Sequence, residues 1–241
     1  MKIALCLHGY FNSSRDLSSL GVDGYNHIKK HILSRGDVDT FVHSWDTVNK
    51  DRIEDLYRPR VSIFEKQKDF SEIPVTRNLT HLPNSPRTPA TVLSHLYSVE
   101  QAIKLPFSVN TKYDVVVKAR FDLGRINRAT SGTGGQNPYA VQCINFSREI
   151  EEGRIYVADW NHFHMGPADM WYYGTADIMH TFTTIYEDLL QDFYLGSAFH
   201  KFATEIEGNP GDLSNAIAYY KYWMIQKGLW DNRVNLPTIW E

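Results

Sequence analysis

Lys2-Ile3-Ala4-Leu5-Cys6-Leu7, closed by His8-Gly9-Tyr10, is the stretch whose reading decides the fold. A continuous apolar run with a glycine after it reads as a buried strand entering a loop. Tyr25 to Leu33 then reads as a short helix, and Asp39-Thr40-Phe41-Val42-His43-Ser44-Trp45 as a second strand. Strand, helix and strand in the first 45 residues open an α/β domain with a parallel sheet.

Further along, residues 50–88 are polar and irregular, with Pro59, Pro74, Pro83 and Pro86 as breakers. Thr88-Pro89 opens a helix as N-cap and first helical residue. Val92, Leu93, Leu96, Val99 and Ile103 fall on one face of it. Tyr113-Asp114-Val115-Val116-Val117-Lys118-Ala119-Arg120-Phe121-Asp122-Leu123 reads as a central strand that emerges into polar residues. Gly124 to Pro138 reads as a loose loop or lid, with Gly132, Gly134 and Gly135 among Ser, Thr and Asn. Strands follow at Arg154–Asp159 and Met170–Gly174, then helices at Ala176–Leu190, Ser197–Glu205 and Leu213–Gln226. No linker interrupts the run, so residues 1–241 read as one domain with a helical C-terminal part.

Composition narrows the function classes. The 241 residues are 42% hydrophobic and 22% charged, as in an ordinary globular protein. A net charge of −3 argues against a dedicated nucleic-acid partner, which needs a Lys/Arg excess. Cys6 and Cys143 are too few for a disulfide framework or a Cys-rich zinc module. The apolar N-terminal run is too short for a signal peptide or transmembrane segment, so the expected location is cytoplasmic. No Gly-x-x-x-x-Gly-Lys-Ser/Thr or Gly-x-Gly-x-x-Gly is present, which disfavours P-loop and dinucleotide-binding proteins. No Gly-x-Ser-x-Gly elbow accompanies His8-Gly9, which disfavours an α/β-hydrolase.

Arg120 and Asp122 carry the strongest signal. Two residues apart at a strand end, they point to one side. A carboxylate there can hold a divalent cation and a guanidinium can fork onto phosphate oxygens. Together they can neutralise a departing diphosphate. The plainer alternative is an ion pair that closes the strand. A second cluster is Asp159-Trp160-Asn161-His162-Phe163-His164 with Asp169. His162 and His164 alternate, so with Asp159 or Asp169 they can ligate a transition metal, or else simply bond within a loop. Third, Asp212 reads as the N-cap of a helix from Leu213, with Glu207 close before it.

On Tyr-Asp-Val-Val-Val-Lys-Ala-Arg-Phe-Asp-Leu at 113–123 and the order of elements, the chain resembles small glycosyltransferases of the GT-A type. Such enzymes are encoded by large DNA viruses, phages and bacterial surface-polysaccharide loci. The resemblance implies a nucleotide-binding α/β domain, with a mostly parallel central sheet flanked by helices. It implies transfer of a sugar from a nucleotide-diphosphate sugar to a glycan or glycoconjugate acceptor, in the host cytoplasm if the protein is viral. The motif is the Arg-x-Asp version of Asp-x-Asp, so Asp122 would hold Mn²⁺ or Mg²⁺ and Arg120 would meet the diphosphate. His8, Gly9 and Tyr10, with the loop from Ser44 to Asp46, would take the base and ribose. Arg15 and Lys118 would touch phosphate. Asp159 or Asp169 would deprotonate the acceptor, Trp160, His162 and His164 would line its side, and Glu207 or Asp212 would approach the donor sugar. Two other readings stay open: a non-catalytic nucleotide- or carbohydrate-binding accessory protein, and a metal hydrolase using Asp159, His162 and His164.

Overall fold

The computed structural model describes residues 1–11, 20–73, 88–124, 143–146, 149–159, 164–206 and 213–236. The opening run forms β1 (Ile3–Gly9), followed by helix α1 (Leu20–His31) and β2 (Val38–Ser44). Residues 50–64, expected to be irregular, instead form α2 (Lys50–Tyr57) and β3 (Val61–Phe64). The reason is packing: Ile53 and Tyr57 bury one side of a mostly polar helix. That gain outweighs the weak local signal. Next come α3 (Pro89–Ser108), β4 (Val115–Arg120), β5 (Ile155–Ala158) and β6 (Trp171–Thr175). The expected helix from Ala176 is broken into α4 (Ala176–His180), a 3₁₀ turn (Thr181–Thr184) and α5 (Ile185–Asp192). Then follow α6 (Ala198–Glu205), α7 (Ala216–Gln226) and a final strand that the sequence reading lacked, β7 (Arg233–Leu236).

The seven described strands form one sheet in the order β3-β2-β1-β4-β6-β5-β7. β1, β2, β3 and β4 pair in parallel, β6 runs antiparallel to both β4 and β5, and β7 is parallel to β5. The result is an α/β fold with a mostly parallel sheet flanked by helices. Its C-terminal part is not purely helical, because β7 returns to the sheet edge.

Alternation along the strands divides the core in two. Ala4, Cys6, Phe41, Val116 and Tyr172 face α3 and α7, packing with Val92, Leu93, Leu96, Val99, Tyr219 and Trp223. Ile3, Leu5, Leu7, Val42, Val115, Val117 and Tyr173 face the other way, packing with Ile28 of α1, Ile32 just after it and Ile53 of α2. Burial of each such side chain is worth about 1.5–3 kcal/mol relative to exposure. No helix among the described residues is long and apolar enough to cross a membrane.

Two features of this packing position the site. First, β1 is the switch point: β2 and β3 extend from one side of it and β4 lies on the other. In open α/β sheets the crevice beyond the strand C-termini at such a point receives ligands. Second, α1 presses on the turn after β4. A Cβ built on Gly24 would lie 1.7 Å from the Phe121 carbonyl oxygen, and one on Gly124, at φ +72°, would lie 2.4 Å from His27. The backbone carrying Asp122 is therefore wedged against a helix that must keep a glycine there. Gly24→Ala should cost about 1–3 kcal/mol or more, read as a lower urea midpoint with unchanged m-value. An unaltered midpoint would show that this contact does not constrain the turn.

Candidate functional site

A cleft of about 720 Å³ opens at the C-terminal ends of β1, β2 and β4. Its floor comes from His8, Gly9, Arg120 and Asp122. In the parallel ladder His8 sits directly opposite Arg120. One wall is the first turns of α3, and the other is the start of α7 with Asp169 beside it. Thr88 caps α3 by accepting from the Thr91 amide, as the Thr-Pro signal predicts. The cap of α7 is Asn215, whose Oδ1 accepts from the amides of Ile217 and Ala218 at 3.1 and 3.4 Å. This corrects the expected start at Leu213 with Asp212 as cap. Asn215 wins because its amide nitrogen also reaches Met165 Sδ at 2.8 Å, which fixes the side chain toward the helix. Two helix N-termini therefore face the cleft, each carrying partial positive charge.

Arg120 and Asp122 are indeed an ion pair, and the pair borders open space. Arg120 Nε donates to Asp122 Oδ1 at 2.9 Å and Nη2 to Oδ2 at 2.7 Å. Nη1 donates to Asp169 Oδ2 at 3.4 Å. The side chains of Arg120, Asp122 and Asp169 are 34%, 25% and 22% exposed. Among the described residues, three of the five guanidinium N–H groups are thus engaged, which leaves two for a ligand. Asp122 alongside raises the pKa of Arg120, against burial, and Asp169 adds to the effect. Burial would raise the Asp169 pKa, but Arg120, His95 and Lys118 together hold it at about 2.

Beneath the cleft lies a buried polar layer. Lys118, expected on the diphosphate, is fully buried instead. Its ammonium donates to the Asp169 carbonyl and sits 4.7 and 5.4 Å from the rings of Tyr172 and Tyr220. The cause is register: one residue pair earlier on β4 than Arg120, Lys118 points into the core that α7 covers. Burial lowers its pKa to about 7, with Arg120 contributing and Asp169 opposing. His95 on α3 contacts the Tyr220 hydroxyl through Nε2 at 3.0 Å and lies 3.7 Å from Asp169 Oδ2. Burial, then Lys118 and Arg120, bring its pKa down to about 3 against the pull of Asp169, so the ring is neutral. His8, edge-on to His95 at 5.2 Å, is neutral for the same reason.

The structure thus brings together His8, Gly9, Tyr10, Arg120, Asp122 and Asp169. Asp159 does not line the cleft; it is exposed at the end of β5, two strands from β4, and its amide bonds to the Leu236 carbonyl. His164 is exposed, with φ +59°, and lines a second, smaller cleft with Phe202, Glu205, Ile206 and Lys221. Arg15, Trp160, His162, Glu207, Asp212 and the Gly132–Gly135 loop lie outside the described residues. Trp45, in the expected Ser44–Asp46 loop, lines the cleft as well, whereas sequence reasoning missed His95, Ser98 and Asn215. One signal was available: Thr91, Ser94, His95 and Ser98 form a polar stripe at helical spacing on the otherwise apolar α3.

The donors do not fit a resident divalent cation. Both oxygens of Asp122 accept from Arg120, and the neighbouring carboxylate, Asp169, is turned to the same guanidinium. Among the described residues, no three His, Cys, Asp or Glu side chains form a metal-ligating group. Hard cations require six or more oxygen ligands, or several with water. Here a guanidinium occupies the space between the two acids.

Fold and cleft together define an α/β protein with a cleft at the switch point of its sheet, centred on one arginine between two acids. No family model matches the chain, and no curated protein matches it. Among solved structures, a nucleotidyl transferase from Methanothermobacter thermautotroptrophicus aligns over 94% of this chain and 97% of its own. Its identity is 11% and its TM-score 0.36, a likeness that carries no argument about function.

The buried lysine gives a pH prediction. The unfolded state binds the Lys118 proton up to about pH 10.4, whereas the native state releases it near 7. The unfolded state therefore holds more protons in that window, and stability from this group rises with pH across it. Urea unfolding of wild type and Lys118→Met should show wild type gaining on the variant between about pH 7 and 10. A pH-independent difference would place the lysine proton elsewhere.

Proposed function

We propose that the protein is a nucleotide-using transferase and, more finely, a glycosyltransferase that moves a sugar from a nucleotide-diphosphate sugar to a glycan acceptor. The observation that carries the reading is Arg120: a guanidinium clamped by two carboxylates at the β1/β4 switch point, with two N–H groups left for a ligand. The resemblance of residues 113–123, which include Arg120 and Asp122, to the Arg-x-Asp glycosyltransferases is the reason for the finer reading.

On this reading the base and ribose lie along Gly9, Tyr10 and Trp45, where the cleft has aromatic walls. The diphosphate lies against Arg120 and the N-termini of α3 and α7. The bond from the sugar's anomeric carbon to the diphosphate oxygen breaks, and its electron pair stays with the phosphate. The acceptor oxygen forms the new bond and loses its proton. Arg120 meets the charge that develops on the leaving diphosphate, in the position where a metal-dependent enzyme would put its cation. Asp122 orients Arg120 by a two-point contact, which a lysine cannot reproduce. Asp169, held at about 2, is a weak proton acceptor, and its main part here is to hold Arg120 from the other side.

The test begins with melting curves of the protein against uridine, guanosine, adenosine and cytidine diphosphates, in Mn²⁺ and in EDTA. At least one should raise the melting temperature, equally in both media. Turnover is read as nucleoside diphosphate released from the matching sugar nucleotide. Arg120→Ala should lower it about 10²- to 10³-fold, as loss of an oxyanion donor does elsewhere. Asp122→Ala, which releases Arg120 from its two-point contact, should lower it by no more than Arg120→Ala does, while the circular dichroism spectrum stays native. Binding without release would convert the reading to a non-catalytic nucleotide-binding protein. Full activity in Asp122→Ala would remove its basis.

A further inference from the structure

Behind the cleft runs a line of hydrogen bonds that the reading above does not use. His43 on β2 is fully buried. Its Nδ1 lies 2.7 Å from Ser98 Oγ and its Nε2 lies 2.9 Å from Glu65 Oε1. The amide of Gly9 donates to the same Ser98 oxygen at 3.0 Å. On its other side, the Gly9 carbonyl accepts from Ser44 Oγ at 2.7 Å, and Ser44 Oγ accepts from the Asp46 amide at 3.0 Å. Gly9 itself has φ +94°, a conformation open to glycine at little cost.

Hydrogen accounting leaves one arrangement. Glu65, as a carboxylate, can only accept, so His43 Nε2 must carry the hydrogen. His43 Nδ1 is then bare and must accept from the Ser98 hydroxyl. Ser98 Oγ keeps its lone pairs for the Gly9 amide. The opposite tautomer would set a bare imidazole nitrogen against a carboxylate, two acceptors 2.9 Å apart. Double protonation is opposed by burial, and also by Lys68, although Glu65 favours it. The rings of Trp45 and Tyr97 stand edge-on to His43 at 4.9 and 5.7 Å and hold it in place.

A buried imidazole and hydroxyl are costly where apolar residues would pack as well, so the line calls for a purpose. We propose that Glu65, His43 and Ser98 form a one-way hydrogen-bond relay that fixes the Gly9 peptide and thereby shapes the end of the cleft that takes the nucleotide. The three are positioning residues. Glu65 and His43 do not border the cleft, and Ser98 borders it with only 1% of its surface exposed. The proposal rests on the nucleotide reading for its ligand, but the relay itself exists in the free protein and is measured there.

The first measurement is the imidazole ¹⁵N spectrum of the ligand-free protein. His43 should be in the Nε2–H tautomer and should not titrate near its ordinary value of about 6.5. A hydrogen on Nδ1, or titration at the ordinary value, overturns the relay. The second is calorimetric binding of the nucleoside diphosphate that gave the largest melting shift, to wild type, Ser98→Ala, Glu65→Ala and the double variant. Each single change should weaken binding about fivefold, the worth of one neutral hydrogen bond. The double variant should bind no worse than the weaker single one, because both cut the same line. Additive losses, or no loss in Glu65→Ala, overturn the proposal. If wild type binds none of the nucleotides, the nucleotide reading falls, and the spectrum still decides the relay.

Discussion

One guanidinium shared by two carboxylates organises the functional end of this protein. Arg120 bridges Asp122, on the turn after β4, and Asp169, on the segment that leads into β6. It therefore ties together two chain segments from opposite sides of an antiparallel strand pair. A half-buried ion pair of this kind is weak evidence of stability, because burial costs each charge part of its hydration. Its value lies in geometry: a planar fork held at two points leaves its remaining donors aimed in fixed directions. The α1 helix, pressed against the same turn through Gly24, and the buried Lys118, bonded to the Asp169 carbonyl, brace the bridge from both sides.

Electrostatics beneath the cleft follow from that arrangement. Lys118, His95 and His8 are packed around one permanent cation, and each is driven toward its neutral form by burial and by its neighbours. The site thus concentrates its positive charge on Arg120 and the two helix N-termini, while the layer below supplies neutral donors and acceptors. On the proposed reading the anionic diphosphate meets these positive groups, while Asp122 and Asp169 hold Arg120 in place.

Much of the fold was legible because its signals are local. The apolar run of β1, the Thr-Pro start of α3 and the β-branched run of β4 each announce an element through periodicity or capping. The Arg120/Asp122 pair was legible too, because alternation at a strand end places both side chains together. What escaped were weakly marked elements, α2, β3 and β7, each of which exists because a neighbour covers it. The same reason explains Asn215, whose capping role depends on Met165, 50 residues away in the chain.

The sequence by itself determined the α/β class, the parallel opening of the sheet and the charged pair at the mouth of its central strand. These follow from spacings of two and of three to four residues, which the backbone obeys wherever the chain goes. Only the tertiary structure decided that Lys118 is buried while Arg120 is open, that Asp169 and not Asp159 joins the site, and that His43, Ser98 and Glu65 meet. Those outcomes depend on which helix covers which strand end, a contact between residues far apart in the chain that no local pattern encodes.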